Sequence, residues 1–249
     1  MNYYSIFFLF VVFYSSLLGQ NNFGKISLPL GKVDVYDESG SWERAKPNQP
    51  VSVGNLIRTG KRSRCEITLT GGGKIRIGEN SELELNNASI KPMTKSFNAN
   101  LKKGNVWVSA KAAFGEKKDI AVRTPTAVAA IRGTKYRAKA GEDESSVLVY
   151  EGTVDVNQAK NYIEERKEMR KGLSKNSAPF KLGPVTELKA PTQVSGPYEI
   201  TLEDWISLAK GMQINVRKDG KYSMFEFEQK NDGELDFVKW NKEQDAKEQ

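Results

Sequence analysis

Glu82 and Glu84, and again Glu226 and Glu228, are acids spaced two apart, and with lysine and tyrosine they are the groups left for acid–base chemistry. The sequence contains no histidine, and Cys65 is its single cysteine. That excludes a zinc site built from histidine and cysteine, a Ser-His-Asp triad and a Cys-His dyad. It also excludes a disulfide within the chain. On a strand, acids at i and i+2 share a face and ordinarily look to water. A paired-carboxylate glycosidase depends on separation in space, which spacing along the chain does not give. The composition therefore argues for a protein that is not an enzyme, with a carboxylate-dependent envelope enzyme kept as the last alternative. No catalytic residue, cofactor or metal ligand is assigned.

Binding chemistry is better represented. The net charge is +7 over 249 residues, and Arg58, Lys61, Arg62, Arg64, Lys74 and Arg76 crowd one region, while Glu228, Asp232, Glu234 and Asp236 gather near the end. Basic residues alternating with apolar ones along strands read first as a solvated outer face. A cationic face otherwise suits an anionic membrane surface, an acidic glycan or nucleic acid. For nucleic acid, aromatic platforms interleaved with basic residues are too few, Tyr136 between Lys135 and Arg137 being the best case. Nucleic acid is therefore not expected as a partner. Arg123 and Arg132 form the candidate partner surface, because guanidinium groups near a sheet end suit carboxylate or glycan recognition.

The elements that must carry these residues are strands. Cys65, Ile67 and Leu69 alternate with Glu66 and Thr68, Gly71 to Gly73 turn, and Ile75 and Ile77 alternate with Lys74 and Arg76. This is a hairpin, since no Gly-Lys-Ser/Thr follows the glycines to make a phosphate cradle. Cys65 is expected inside it as a small buried apolar residue, with an intermolecular disulfide as the alternative. Short strands recur around Val33, Ile57, Leu83, Phe97, Val106 and Ile120, which predicts an all-β sandwich of short antiparallel strands or a stack of hairpins. From Arg123 to Val156, Pro125 favours extended backbone, and Glu151 and Gly152 separate two strands by a tight turn.

Four segments follow. Residues 1–19 read as a signal peptide: an apolar run too short for a span of about 20 residues, followed by polar Gln20, Asn21 and Asn22. An uncleaved anchor is the alternative; otherwise no stable membrane span is expected once the leader is removed. Residues 25–157 are the β domain and 158–199 a helical, proline-containing connector. Residues 200–249 read as a small α+β extension of helix, hairpin and helix, with Thr201 and Asp204 as caps for a helix over Leu202–Lys210, strands at Met212–Val216 and Tyr222–Phe227, and a last helix over Leu235–Asp245.

From about Val51 to Val156 the chain resembles the FecR domain family. Gly54, Leu56, Ile57, Thr59 and Gly60 begin the likeness, and Leu101, Lys103, Gly104 and Val108 continue it. Its most specific pieces are Arg123, Thr124 and Pro125, then Arg132, Gly133, Thr134 and Tyr136, and finally Glu151 and Gly152 before Val154 and Val156. These positions read first as architecture. The resemblance implies a jelly-roll-like sandwich and a relation to inner-membrane regulators that relay a periplasmic signal, such as ferric-siderophore uptake, to a cytoplasmic sigma factor. Only about five residues precede the apolar run here, so the expected form is a stand-alone FecR-like domain without an anti-sigma segment. The expectation is an exported, periplasmic or envelope protein that binds, scaffolds or senses, its partner a protein or glycan of the envelope. The alternative is a periplasmic component of a sigma-factor or iron-uptake system that works with a separate membrane partner.

Overall fold

The computed structural model describes residues 22–36, 40–110, 117–132, 134–159, 200–201 and 205–247. The chain begins with β1 (Asn22–Leu30), β2 (Val33–Tyr36), β3 (Trp42–Arg44), β4 (Pro50–Ser52), β5 (Leu56–Thr59), β6 (Arg64–Leu69) and β7 (Lys74–Ile77). It continues with β8 (Glu82–Lys91), β9 (Thr94–Ser109), β10 (Lys117–Arg123), β11 (Ala127–Arg132), β12 (Lys135–Ala140), β13 (Glu144–Glu151) and β14 (Thr153–Gln158). After residue 199 come β15 (Ile200–Thr201), β16 (Ile206–Ala209), β17 (Met212–Arg217) and β18 (Lys221–Glu226), then the helices α1 (Gln229–Gly233) and α2 (Asp236–Ala246). The expected all-β architecture with a small C-terminal α+β part is what the chain adopts. The expected leader and most of the connector lie outside the described residues.

The strands form two layers. In the front sheet the order is β4, β1, β6, β7, the end of β9, β12, β13, β17, β18 and β15. In the back sheet it is β3, β2, β5, β8, the start of β9, β10, β11, β14 and β16. All pairs are antiparallel except β9 with β10. Inward side chains of both layers, among them Ile26, Ile57, Ile75, Leu83, Phe97, Val106, Ile120, Tyr136, Val147 and Val156, make one core. The alternation in each strand puts every second residue there.

β9 belongs to both layers. Its residues up to Lys103 pair with β8 and β10 in the back sheet, and those from Gly104 pair with β7 and β12 in the front sheet. Gly104 sits at the corner with φ +94, and a side chain there would run into Ser81. The parallel pairing has the same origin: with the second half of β9 in the other layer, the chain re-enters beside Thr94 at Lys117, in the same direction. Gly152, with φ +78, is a second corner. The Glu151–Gly152 turn separates two strands as expected, but they do not pair as a hairpin, because β13 lies in the front sheet and β14 in the back one.

The helix expected over Leu202–Lys210 is corrected. Ile206–Ala209 is strand β16, antiparallel to β14 with Val154 opposite Leu208. Ile206 and Leu208 are buried while Ser207 turns outward and donates to the Asp155 carboxylate, so the period is two, as in a strand. Thr201, read as a cap, is in β15, and Asp204 is outside the described residues. The hairpin that follows is β17 and β18, and α2 falls where the last helix was expected. Both β16 and β17 continue the sheets of the preceding domain by hydrogen bonding to β14 and β13.

Candidate functional site

Thr124, Pro125 and Thr126 form the turn between β10 and β11, and the threonines explain its shape. The Thr124 hydroxyl accepts from the Ala127 amide at 2.9 Å and donates to the Ala127 carbonyl at 2.9 Å. The Thr126 hydroxyl donates to the carbonyl of Val216 in β17 at 2.7 Å, and the Thr126 carbonyl accepts from the Ala159 amide at 3.0 Å. All of this is buried, so the turn ties the back sheet to the C-terminal strands. A cleft of about 490 Å³ opens beside it, lined by Asn100, Lys102, Arg123, Thr124, Pro125 and Ala159. Arg123 reaches along its edge and donates to the Ala159 carbonyl at 3.0 Å.

The other signature residues are distributed by the fold. Strand register pairs Arg123 with Val128 but Arg132 with Asp119, so the two arginine positions lie at opposite ends of the β10–β11 hairpin, four strand residues or roughly 13 Å apart. The Thr134 carbonyl accepts from the Ala110 amide at 3.2 Å, whereas its buried hydroxyl has no hydrogen-bond partner among the described residues. Tyr136 is wholly buried in the core. Burial raises its phenol well above the ordinary range. Glu151 is exposed and pairs with Lys135 at 2.9 Å. Gly133 lies outside the described residues. The acid pair Glu82 and Glu84 sits on the outer face of the back sheet, with Lys102 4.0 and 3.4 Å away.

A second constellation, not anticipated as a unit, occupies the outer face of the front sheet. Glu66, Arg76, Trp107, Arg137 and Leu148 are successive cross-strand neighbours on β6, β7, β9, β12 and β13. The reading of the basic run as a solvated face is wrong for its last member: Arg76 is 0% exposed, and its neighbours Glu66 and Trp107 are 4% and 1% exposed. The cover is the segment containing α1 and α2. Arg76 donates from Nε to Glu66 Oε2 at 2.6 Å and from Nη1 to Asp245 Oδ1. The Trp107 indole donates to Asp245 Oδ2 at 3.2 Å. Arg137 donates to Asp232, whose second oxygen accepts from the Tyr150 hydroxyl at 2.6 Å. Arg64 pairs with Asp236 and lies over the Trp240 ring at 5.1 Å.

The electrostatics follow from this packing. Burial would raise the Glu66 carboxyl, but hydrogen bonds from Arg76, Lys74 and Ser27 outweigh it and hold the group below its ordinary value. Burial would likewise weaken the charge on Arg76, and Asp245 and Glu66 reverse that. The Tyr150 phenol is raised chiefly by burial. Cys65, pointing to the core from the same strand as Glu66, is fully buried, and burial followed by the Glu66 charge pushes its thiol up to about 12. The expectation of a small buried residue holds.

Residues 55–155 match the model of the FecR protein family. Over that stretch the chain is similar to the FecR family. The match begins just before β5, ends within β14, and contains the signature residues quoted above except Gly54 and Val156, which flank it. Two crystal structures of a candidate anti-sigma factor from Parabacteroides distasonis are similar to the chain, at 15% and 14% identity, each with a TM-score of 0.45 over 72% of this chain. The chain spans 63% and 62% of the length of those solved chains. No curated protein matches it. Outside the matched residues lie β1 to β4 and the strands and helices after residue 199, which complete the two sheets and cover the front face. Among the described residues no helix is long and apolar enough to cross a membrane.

Proposed function

We propose that the chain is an exported, non-catalytic protein of the bacterial cell envelope whose FecR domain binds a protein or glycan, as a scaffold or sensor. The observation that carries this is the FecR match over residues 55–155, together with the use of its signature residues for turns, corners and core. The acids weighed for catalysis support it: Glu82 and Glu84 share Lys102 on an outer sheet face, and Glu228 accepts a hydrogen bond from Asn231. Arg123 beside its cleft and Arg132 at the far end of the same hairpin are two separate contact points for that partner. Cell fractionation with mass spectrometry of the mature N-terminus, followed by cross-linking capture from envelope extracts, tests the reading. The chain in the periplasmic or membrane fraction, with one reproducible partner lost on Arg123→Ala, is the expected result. A cytoplasmic chain, or capture of nothing reproducible, overturns it.

The FecR match also favours a narrower reading, a periplasmic component of sigma-factor or iron-uptake signalling that works with a separate membrane partner. Co-purification of such a membrane regulator supports it. A genome neighbourhood with neither sigma factor nor outer-membrane receptor, together with unchanged reporter output on deletion, removes it.

A further inference from the structure

The charges across the front-sheet interface are segregated by segment. Arg64, Arg76, Lys135 and Arg137 come from the sheet, and the acids that meet them, Asp236, Asp245 and Asp232, come from residues 229–246. Ring contacts accompany them: Arg64 of the sheet lies over Trp240 of the segment at 5.1 Å, Lys242 of the segment sits over Tyr150 of the sheet at 6.0 Å, and Tyr150 itself packs between Trp107 at 4.3 Å and Phe227 at 5.4 Å. Arginine with tyrosine and tryptophan is the composition of recognition surfaces, where planar guanidinium groups grip carboxylates.

The covering segment does little to hold its own shape. α1 has five residues and buries none of them, and neither helix has a side-chain cap on its first turn. α2 has eleven residues, below the length at which an isolated helix is stable in water. Its order therefore comes from the sheet. Desolvated ion pairs add little net stability over apolar packing of the same volume. The interface has the make-up of a bound peptide.

We propose that this face of the front sheet is a docking surface for an acidic, aromatic-bearing polypeptide segment, and that residues 228–247 are the resident occupant which a partner segment of the same chemistry displaces. The two clamps are Arg76 with Asp245 and Arg137 with Asp232. A tethered occupant competes at an effective concentration of about millimolar. A free segment therefore enters when its affinity is high or the resident clamps are weakened. The inference deepens the binding reading above and names the partner's chemistry, but its test needs no envelope partner and so fails separately from that reading.

The full-length chain is followed by amide exchange, and a fluorescent synthetic peptide of residues 228–247 is titrated into the wild-type protein and into the Asp232→Asn, Asp245→Asn double variant. Amides of α2 should exchange at least 100-fold faster than those of β7 and β12. The peptide should bind the double variant at least tenfold more tightly than the wild type, and a peptide carrying both asparagines should bind neither. Equal exchange in α2 and β7, no binding to the folded double variant, or equal binding to both proteins overturns the proposal. If the double variant fails to melt cooperatively, the wild-type exchange decides alone.

Discussion

Glu66 shows how one residue can be placed correctly on a strand and still be misjudged. Its alternation with Cys65 and Ile67 puts it on the outer face, yet that face is dry. Because its carboxyl is held below the ordinary value of 4.5, it stabilises the fold fully above that pH, and the contribution is lost as pH falls through the lower, folded value. Acid titration of stability by urea melts should therefore show a loss below about pH 4.5 that Glu66→Gln makes shallower. Removing its partner has a harsher effect: Arg76→Ala leaves Glu66 and Asp245 buried without their guanidinium and should cost about 3–5 kcal/mol in the same melts. Cys65, on the opposite face of β6, should react with a water-soluble disulfide reagent only after unfolding, since the thiolate is the nucleophile and the thiol is both buried and raised to about 12. Reaction at the rate of a free thiol in the native protein would contradict the buried position.

At the scale of elements, local pattern was readable wherever period and turn chemistry agreed. The β6–β7 hairpin and the β17–β18 hairpin follow from alternating apolar residues around glycine-containing turns. The β16 stretch misled because its flanking threonine and aspartate mimic a helix cap, while only four residues carry the period of two. The corners at Gly104 and Gly152 were visible as glycines but not as changes of layer, because a change of layer depends on which partner strand each side finds. Gly104→Ala should lower stability by more than about 1 kcal/mol, by backbone strain at positive φ and by collision with Ser81. Thr126→Val should cost about 1 kcal/mol, by removing the hydroxyl's bond to the buried Val216 carbonyl. Both are measurable by chemical denaturation. The Thr-Pro-Thr turn was legible as a signature, whereas its bond to a strand 90 positions away was not.

At the scale of the molecule, the core sits largely within the family match and the segments outside it complete and cover the sheets. β16 and β17 extend both layers, and the last helices seal a face that would otherwise expose Arg76, Trp107 and Arg137. A chain ended at Phe227 should keep its strands by far-ultraviolet dichroism but show red-shifted tryptophan emission and a lower Tm, as Trp107 meets water. Unchanged emission would mean that the cover contributes nothing to the burial of Trp107. Two of the acids that gather near the end of the sequence, Asp232 and Asp236, belong to this cover. In the fold those acids answer cations placed far earlier.

The ion pair between Arg76 and Asp245 spans 169 positions of sequence. Its consequence lies in time as much as in space. Contacts so distant along the chain form late, because closing a long loop costs entropy before any contact rewards it. The layers must therefore assemble first around a cationic stripe that is still wet, and the interval before Asp245 arrives is a window in which any acidic chain close at hand meets the same arginines. The slowest step of folding and the first step of recognition would then share one surface.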